Sequence, residues 1–392
     1  MSVADQFTCP ACREGEMAGF FEVAQSPILC NILCRTRADA LAVPRGRIHL
    51  GFCPACGHVY NTAFDEKLMQ YDAAYENSLQ FSPHFRQYLE SAAAQLVERY
   101  GLRGKDVIEI GCGQGDFLSA LCRLGGNRGT GFDPSFDAAK AETTLAEGAR
   151  IVPQYYSHEH KDRPVDLLCC RHVLEHIPRP LDFLRELRRT MGERRDVVLF
   201  FEVPNALFTL QRLAIWDIIY EHCSYFTPQS LRRTFELAGF EVLRVAEVFD
   251  GQFLTIEARP ADAAGACEAP SDALRDSVAR FEAEYRSKVK LFEERFDRVA
   301  SEKRRAVVWG GGSKGVTFLN TLRLSPEVVP YVVDVNPRKE GHYVVGTGQQ
   351  IVPPRLMAEY APHAILIMNA TYRREIESTC RGMGIESEFW CG

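Results

Sequence analysis

Two short cysteine pairs near the amino terminus constrain this chain more than any other feature. Cys9-Pro-Ala-Cys12 and Cys53-Pro-Ala-Cys56 share one C-x-x-C spacing and are separated by 40 residues. Thiolates three positions apart on a tight turn can share one tetrahedral ion, and two such turns complete a closed four-sulfur site. The spacing predicts a structural Zn2+ on Cys9, Cys12, Cys53 and Cys56, with His58 as the alternative donor for one thiolate; Cys30 and Cys34 lie between the knuckles at a looser spacing. Four thiolates leave no open coordination position, so the ion should hold a small module together and do no chemistry. The chain has 14 cysteines, yet its start, MSVADQFTCP, lacks the basic and apolar regions of a secretory signal. Reduced thiols and metal ligation are therefore expected, not a disulfide framework.

The remaining composition narrows the class. A length of 392 residues with 46% hydrophobic and 25% charged residues suits two or three globular domains. The net charge is −6, and no basic tract runs along the chain, which argues against nucleic acid as a partner. No apolar run approaches the roughly 18 residues of a membrane span, so no membrane partner is expected. The reading is a soluble, cytoplasmic protein with a small-molecule substrate.

Apolar periodicity divides the rest. Phe81, Phe85, Tyr88, Leu89, Ala92, Leu96 and Tyr100 recur at helical spacing between Ser82-Pro83 and Gly101. From Asp106 to Pro260, apolar runs at 107–110, 129–132, 165–170, 197–203, 242–248 and 253–258 alternate with helical stretches, which predicts a mostly parallel sheet covered on both faces. Residues 261–271 read as a linker. Val278, Phe281, Tyr285, Val289, Phe292, Phe296 and Val299 then mark a long helix with one apolar stripe, expected to pack on its own protein and not in a coiled-coil dimer. A second strand, glycine turn and helix begin at Arg305, with further strands at 329–333 and 364–368. The predicted domains are a zinc module over 1–70, an α/β domain over 71–260, a linker and connector helix over 261–304, and a second α/β domain over 305–392.

The first α/β domain opens on Glu109-Ile-Gly111-Cys-Gly113-Gln-Gly115. Glycines after a strand let the backbone turn sharply and approach a ligand, and the helix N-terminus that follows favours electron-rich groups. Asp133, 22 residues beyond Gly111, is spaced to accept hydrogen bonds from ribose hydroxyls. The spacing is G-x-G-x-G and differs from the dinucleotide fingerprint G-x-G-x-x-G. Together with the segment from Val165 through His172, Glu175 and His176 to Pro178, it resembles the class I S-adenosylmethionine-dependent methyltransferases. That resemblance implies a Rossmann-like core in which Glu109, Gly111, Gly113 and Gly115 hold the methionine end of the cofactor, Asp133 its ribose, and His172 flanks it.

Further along, Tyr220-Glu221-His222 sets a phenol, a carboxylate and an imidazole side by side just before a helix. An imidazole near neutrality suits proton abstraction, and a phenol can donate to a developing enolate oxygen. Carbon next to a ketone needs both tools, whereas a nitrogen or hydroxyl acceptor already has a lone pair. Ordinary capping or core roles also fit Tyr220 and His222. His176 is either a substrate contact or an anchor of its turn.

The C-terminal unit contains Gly310-Gly-Gly312-Ser-Lys314-Gly315, with Asp334 24 residues after Gly310, which matches the dinucleotide fingerprint as written. Zinc module, methyltransferase core and this domain together resemble the bacterial sugar C-methyltransferases of deoxysugar pathways, the tetronitrose, mycarose and noviose branch-forming enzymes, over nearly the whole chain. The resemblance implies S-adenosylmethionine as methyl donor and a nucleotide-linked deoxy-keto sugar as acceptor. It assigns proton removal to His222, support to Glu221 and Tyr220, and further active-site roles to His176 and Tyr75, with Tyr71 as the alternative to Tyr75. The family has its tyrosine three residues before the histidine, whereas Tyr220 stands two before His222. In that family the C-terminal domain resembles a nicotinamide-binding fold without using the cofactor, so Gly312 and Lys314 are expected to contact the sugar nucleotide and not NAD. O- or N-methylation of another small metabolite, and a non-catalytic cofactor-binding scaffold, are the alternative functions. The oligomeric state is not legible.

Overall fold

Local signals set the entry to the first α/β domain. The computed structural model describes residues 7–69, 75–136, 145–262 and 269–392; Tyr71 and residues 263–268 of the predicted linker lie outside them. The helix Pro83–Tyr100 starts where the Ser82 side chain accepts the Phe85 N–H and ends at Gly101, which adopts a φ of 60°. Its buried stripe, Phe85, Leu89, Ala93, Leu96 and Val97, packs with the helix Asp116–Gly125 against one face of the sheet.

That sheet has seven strands. From one edge to the other they are Phe240–Val248, Phe253–Pro260, Val198–Pro204, Leu167–Arg171, Asp106–Ile110, Arg128–Phe132 and Ala149–Val152. Only Phe253–Pro260 runs against its neighbours. The central strands are buried on both faces, which is why they read as unbroken apolar runs. The edge strand Ala149–Val152 was not predicted: it is four residues long, half-buried, and interrupted by Arg150. Chain order reverses between Asp106–Ile110 and Leu167–Arg171, so the glycine turn and the His172–His176 segment leave from adjacent strand ends. Such a switch point is where open α/β sheets take their ligands.

The N-terminal module adds an antiparallel sheet that the sequence does not announce. Its strands are Ala18–Pro27, Arg45–Phe52, Val59–Asn61 and, from the methyltransferase loop, Ser224–Tyr225. The C-terminal domain carries five parallel strands in the order Gln350–Val352, Tyr331–Val333, Ala306–Trp309, Ala364–Ile367 and Glu388–Cys391. Both α/β units are therefore Rossmann-like, as expected.

The connector helix Asp272–Ser301 joins all three parts through one core. Phe281 meets Phe21 of the N-terminal sheet with ring centroids 5.2 Å apart, and Phe292 meets Trp216 and Phe318 at 5.9 and 5.4 Å. The apolar stripe is thus covered by its own chain. Burial of each such ring is worth about 1.5–3 kcal/mol. Among the described residues no helix is long and apolar enough to cross a membrane.

Candidate functional site

The two knuckles converge. Cys9, Cys12, Cys53 and Cys56 are all buried, and their sulfurs lie within 4.8 Å of one another. Two of the separations, Cys9 to Cys56 and Cys12 to Cys53, are 3.8 and 3.7 Å. Four sulfurs at about 2.3 Å from a tetrahedral ion stand about 3.8 Å apart, so the donor set and its spacing fit one closed metal site. His58 does not replace a thiolate; its ring packs on Phe226 with centroids 4.7 Å apart. The knuckle grips the neighbouring domain by two ion pairs of opposite sense, Arg13 with Asp182 and Glu14 with Arg233.

At the glycine turn, Gly111 has a φ of 66°, and a Cβ there would stand 2.3 Å from Val173 Cγ2. Only glycine fits. Asp133 accepts the Gly113 N–H at 2.8 Å and the Ser135 N–H at 2.9 Å, and Glu109 is 2% exposed with one carboxylate oxygen lacking any partner among the described residues. Burial pushes Glu109 up to about 8. Behind the turn, Glu202 is wholly buried between Arg171 and His172, each 2.8 Å away, and Tyr88. Burial, the largest influence, opposes the ionised form of Glu202, but Arg171, His172 and Tyr88 together outweigh it and hold its pKa at about 2. Burial likewise opposes protonated His172; Glu175 and Glu202 overcome it and raise the ring to about 9. His172 has a φ of 54°, a left-handed backbone rare outside glycine.

Across the crevice, His222 and His176 face each other with ring centroids 4.9 Å apart. His176 Nδ1 lies 2.9 Å from the Glu221 carbonyl oxygen, and the Glu221 carboxylate accepts the Cys30 N–H at 2.5 Å and the Tyr75 hydroxyl. Burial raises Glu221 above the ordinary carboxylate range. The structure therefore brings His222, Glu221, His176 and Tyr75 together. Tyr220 is a correction: its hydroxyl accepts the Asp65 N–H at 2.9 Å, and its ring fills the N-terminal core against Phe64 and over Gly46. Tyr220 and Glu221 share a turn yet their side chains part, and the phenol that reaches the Glu221 carboxylate is that of Tyr75, far off in sequence.

At the C-terminal turn Asp334 accepts the Gly311 N–H at 2.9 Å. Lys314 does not face this turn with an open ammonium: it is ion-paired to both carboxylate oxygens of Asp217, which corrects its reading as the cation offered to a phosphate. The cation beside Gly312 is Lys339, nearly buried, 3.2 Å from the Gly311 carbonyl oxygen and 3.3 Å from Asn31 Oδ1. Asn31 follows Cys30, so a single N-terminal loop touches both Glu221 and this turn. Nearby, Glu76 binds Asn336 and Arg338, each at 3.0 Å.

Residues 84–245 match the family model of a methyltransferase domain, and residues 273–386 that of a C-methyltransferase C-terminal domain. C-methyltransferase NovU from Streptomyces niveus is 27% identical over 317 residues, covering 74% of this chain and 72% of its own length. The chain belongs to the S-adenosylmethionine-dependent C-methyltransferases. A ubiquinone biosynthesis O-methyltransferase from Actinobacillus pleuropneumoniae serotype 7 is 28% identical over 29% of this chain, which spans about half (52%) of that relative. Among solved structures, magnesium protoporphyrin IX methyltransferase ChlM from Synechocystis PCC 6803 with bound SAH has a TM-score of 0.35 and 20% identity, covering 45% of this chain and 84% of that one.

For this C-methyltransferase, the partnerless Glu109 oxygen suits a donor bearing a cationic amine, since a buried carboxylate is costly until such a partner arrives. Glu175, Glu202, Arg171 and Lys339 were not singled out from the sequence. Glu175 stands within the quoted 165–178 segment, but only the fold brings its carboxylate among three imidazoles.

Proposed function

We propose that this C-methyltransferase methylates the carbon next to the ketone of a nucleotide-linked deoxy-keto sugar, with His222 as the base. The observation that carries the reading is the pairing of His222 with His176 beside a Glu221 whose carboxylate is bound by Tyr75. A heteroatom acceptor needs no such assembly, whereas a carbon-bound proton needs a base aimed at it and a donor for the enolate oxygen.

S-adenosylmethionine, when bound, supplies an electrophilic methyl on a sulfonium. Glu109 and the turn Gly111, Gly113 and Gly115 hold its methionine end in this reading, Asp133 its ribose, and His172 lies alongside. His222 takes the α-proton onto a ring nitrogen, and the electron pair of that C–H bond becomes the enolate. As charge builds on the enolate oxygen, Tyr75, in place of Tyr220, transfers its single O–H hydrogen bond to it from Glu221, whose carboxylate keeps the Cys30 N–H. A donor held on the Glu109 and glycine-turn side would offer its methyl to the enolate carbon, with the carbon–sulfur electron pair leaving on sulfur. Holding donor and acceptor together replaces several kcal/mol of entropic barrier, of the order of about 7 kcal/mol for well-oriented pairs. Gly312 and Lys339 receive the nucleotide diphosphate, and Zn2+ on the four cysteines holds the wall formed by the N-terminal module.

Incubation with S-adenosylmethionine and a panel of nucleotide-linked 4-keto sugars should add one methyl by mass to a sugar carbon, and His222→Asn should abolish it. Near-normal turnover in His222→Asn, with the methyl on oxygen or nitrogen, would overturn the reading.

A further inference from the structure

We infer that Glu175 is a positioning residue for proton abstraction, its buried carboxylate stabilising the imidazolium that His222 becomes on taking the substrate proton. The inference rests on the reading of His222 as the base. Glu175 is 1% exposed, and its Oε2 has no hydrogen-bond partner among the described residues. A carboxylate oxygen of Glu175 and ring nitrogens of His176 and His222 all lie within 4.8 Å of one another. Its Oε1 is 3.6 Å from His172 Nδ1.

A buried acceptor left unused costs stability, so its presence needs a compensating task. The alternatives for a counter-charge are already engaged. Glu221, the neighbour of His222, has its carboxylate bound by Cys30 and Tyr75, and Glu202 is spent on Arg171, Tyr88 and His172. Beside the phenol of Tyr225, 6.3 Å away between ring centroids, the groups whose charge bears on His222 are cationic: His176, His172 and Lys314, the last of them paired with Asp217. Together with burial they push the ring well below the ordinary histidine range. Proton uptake at His222 would thus add a positive charge to a site that already repels one, and Glu175 is the carboxylate able to offset it. The spacing is fixed from both sides, because His176 Nδ1 is bonded to the Glu221 carbonyl and Cys223 Sγ to the Glu175 carbonyl, 3.4 Å away.

The test follows the His222 ring directly in the full-length protein labelled with 13C,15N-histidine, its signal identified by loss in His222→Asn. Glu175→Gln should lower the His222 pKa by about one unit or more, the size expected for removing an opposite charge at this range, and Glu175→Asp should restore most of it. With S-adenosylmethionine and a nucleotide-linked 4-keto sugar, Glu175→Gln should cut kcat at least about tenfold while KM and donor affinity, measured by calorimetry, stay within about threefold. An identical His222 titration in the wild type and Glu175→Gln would overturn the inference, and if Glu175→Gln does not fold, an unshifted titration in the charge-free variant Glu175→Ala does the same. Near-normal turnover of His222→Asn overturns the base assignment instead, and is distinguished because the Glu175-dependent titration survives it.

Discussion

The Nδ1 atom of His176 lies 2.9 Å from the carbonyl oxygen of Glu221. A carbonyl only accepts, so Nδ1 carries the hydrogen and, in the neutral ring, Nε2 is the acceptor. The bond also ties the turn Leu174–His176 to the loop bearing His222. His176→Phe should leave the Glu221 carbonyl unsatisfied, cost about 1–3 kcal/mol, and speed amide exchange over residues 221–224. His176→Asn keeps a donor and should recover most of that protection without recovering turnover. Equal exchange in the wild type and His176→Phe would refute the tie.

Glu202 and His172 form a pair whose stability depends on pH in a stated direction. Glu202 is held down at about 2, so its contribution is present above the ordinary carboxylate range and is lost as pH falls through 2. His172 is raised from 6.5 to about 9, so its contribution is complete below pH 6.5 and is lost as pH rises through 9. Urea unfolding should show stability declining between pH 6.5 and 9 by roughly 2–3 kcal/mol from this ring. Glu202→Gln should flatten that limb and, by leaving Arg171 unpaired, cost about 3–5 kcal/mol near neutrality. The same slope in the variant would count against the pairing.

What the sequence disclosed was chemistry that needs a fixed local spacing. The C-x-x-C pairs, the Gly111–Gly115 turn with Asp133, the cap at Ser82 and the stripe from Val278 to Val299 are all set by residues a few positions apart, and each stands in the structure where its spacing put it. What escaped depends on contacts between distant segments. The N-terminal sheet is completed by the two-residue strand Ser224–Tyr225, too short for any period to register. Tyr220 was given a supporting role beside His222 by the family resemblance, with a core role left open by its own residue type, and the contact that decides it, its hydroxyl on Asp65, lies 155 positions away. Lys314 looked poised for a phosphate until Asp217, 97 positions earlier, came into view as its partner.

Donor binding should carry a proton signature. Burial lifts Glu109 to about 8, so near pH 7 the free protein holds a proton there that pairing with an ammonium would expel. S-adenosylmethionine should therefore bind more tightly as pH rises from 6 toward 8, and calorimetry in buffers of different ionisation heat should record proton release near pH 7. Glu109→Gln should weaken binding and remove the release. No difference between buffers for the wild type would separate Glu109 from the donor's amine.

The metal site should matter to the chemistry while touching none of it. Cys53 donates its N–H to the His58 carbonyl, and directly after His58 the strand Val59–Asn61 pairs Val59 with Tyr225 and Tyr60 with Ser224. The Asn61 N–H then binds the Cys223 carbonyl at 2.9 Å, so the residue after His222 hangs from a strand that begins at the second knuckle. Thr227 reaches back to the Gly57 carbonyl at 3.4 Å from the other end of the same loop. Among the described residues, Asp133, Glu109 and the glycine turn make no such hydrogen bond with the module. Chelation, or Cys53→Ser, should accordingly release the metal, measured by elemental analysis, and cut turnover by about tenfold or more, while donor affinity changes by less than about threefold. Loss of donor binding in step with turnover would point to general unfolding, and full turnover in metal-free protein would show that the loop keeps its geometry without the knuckles.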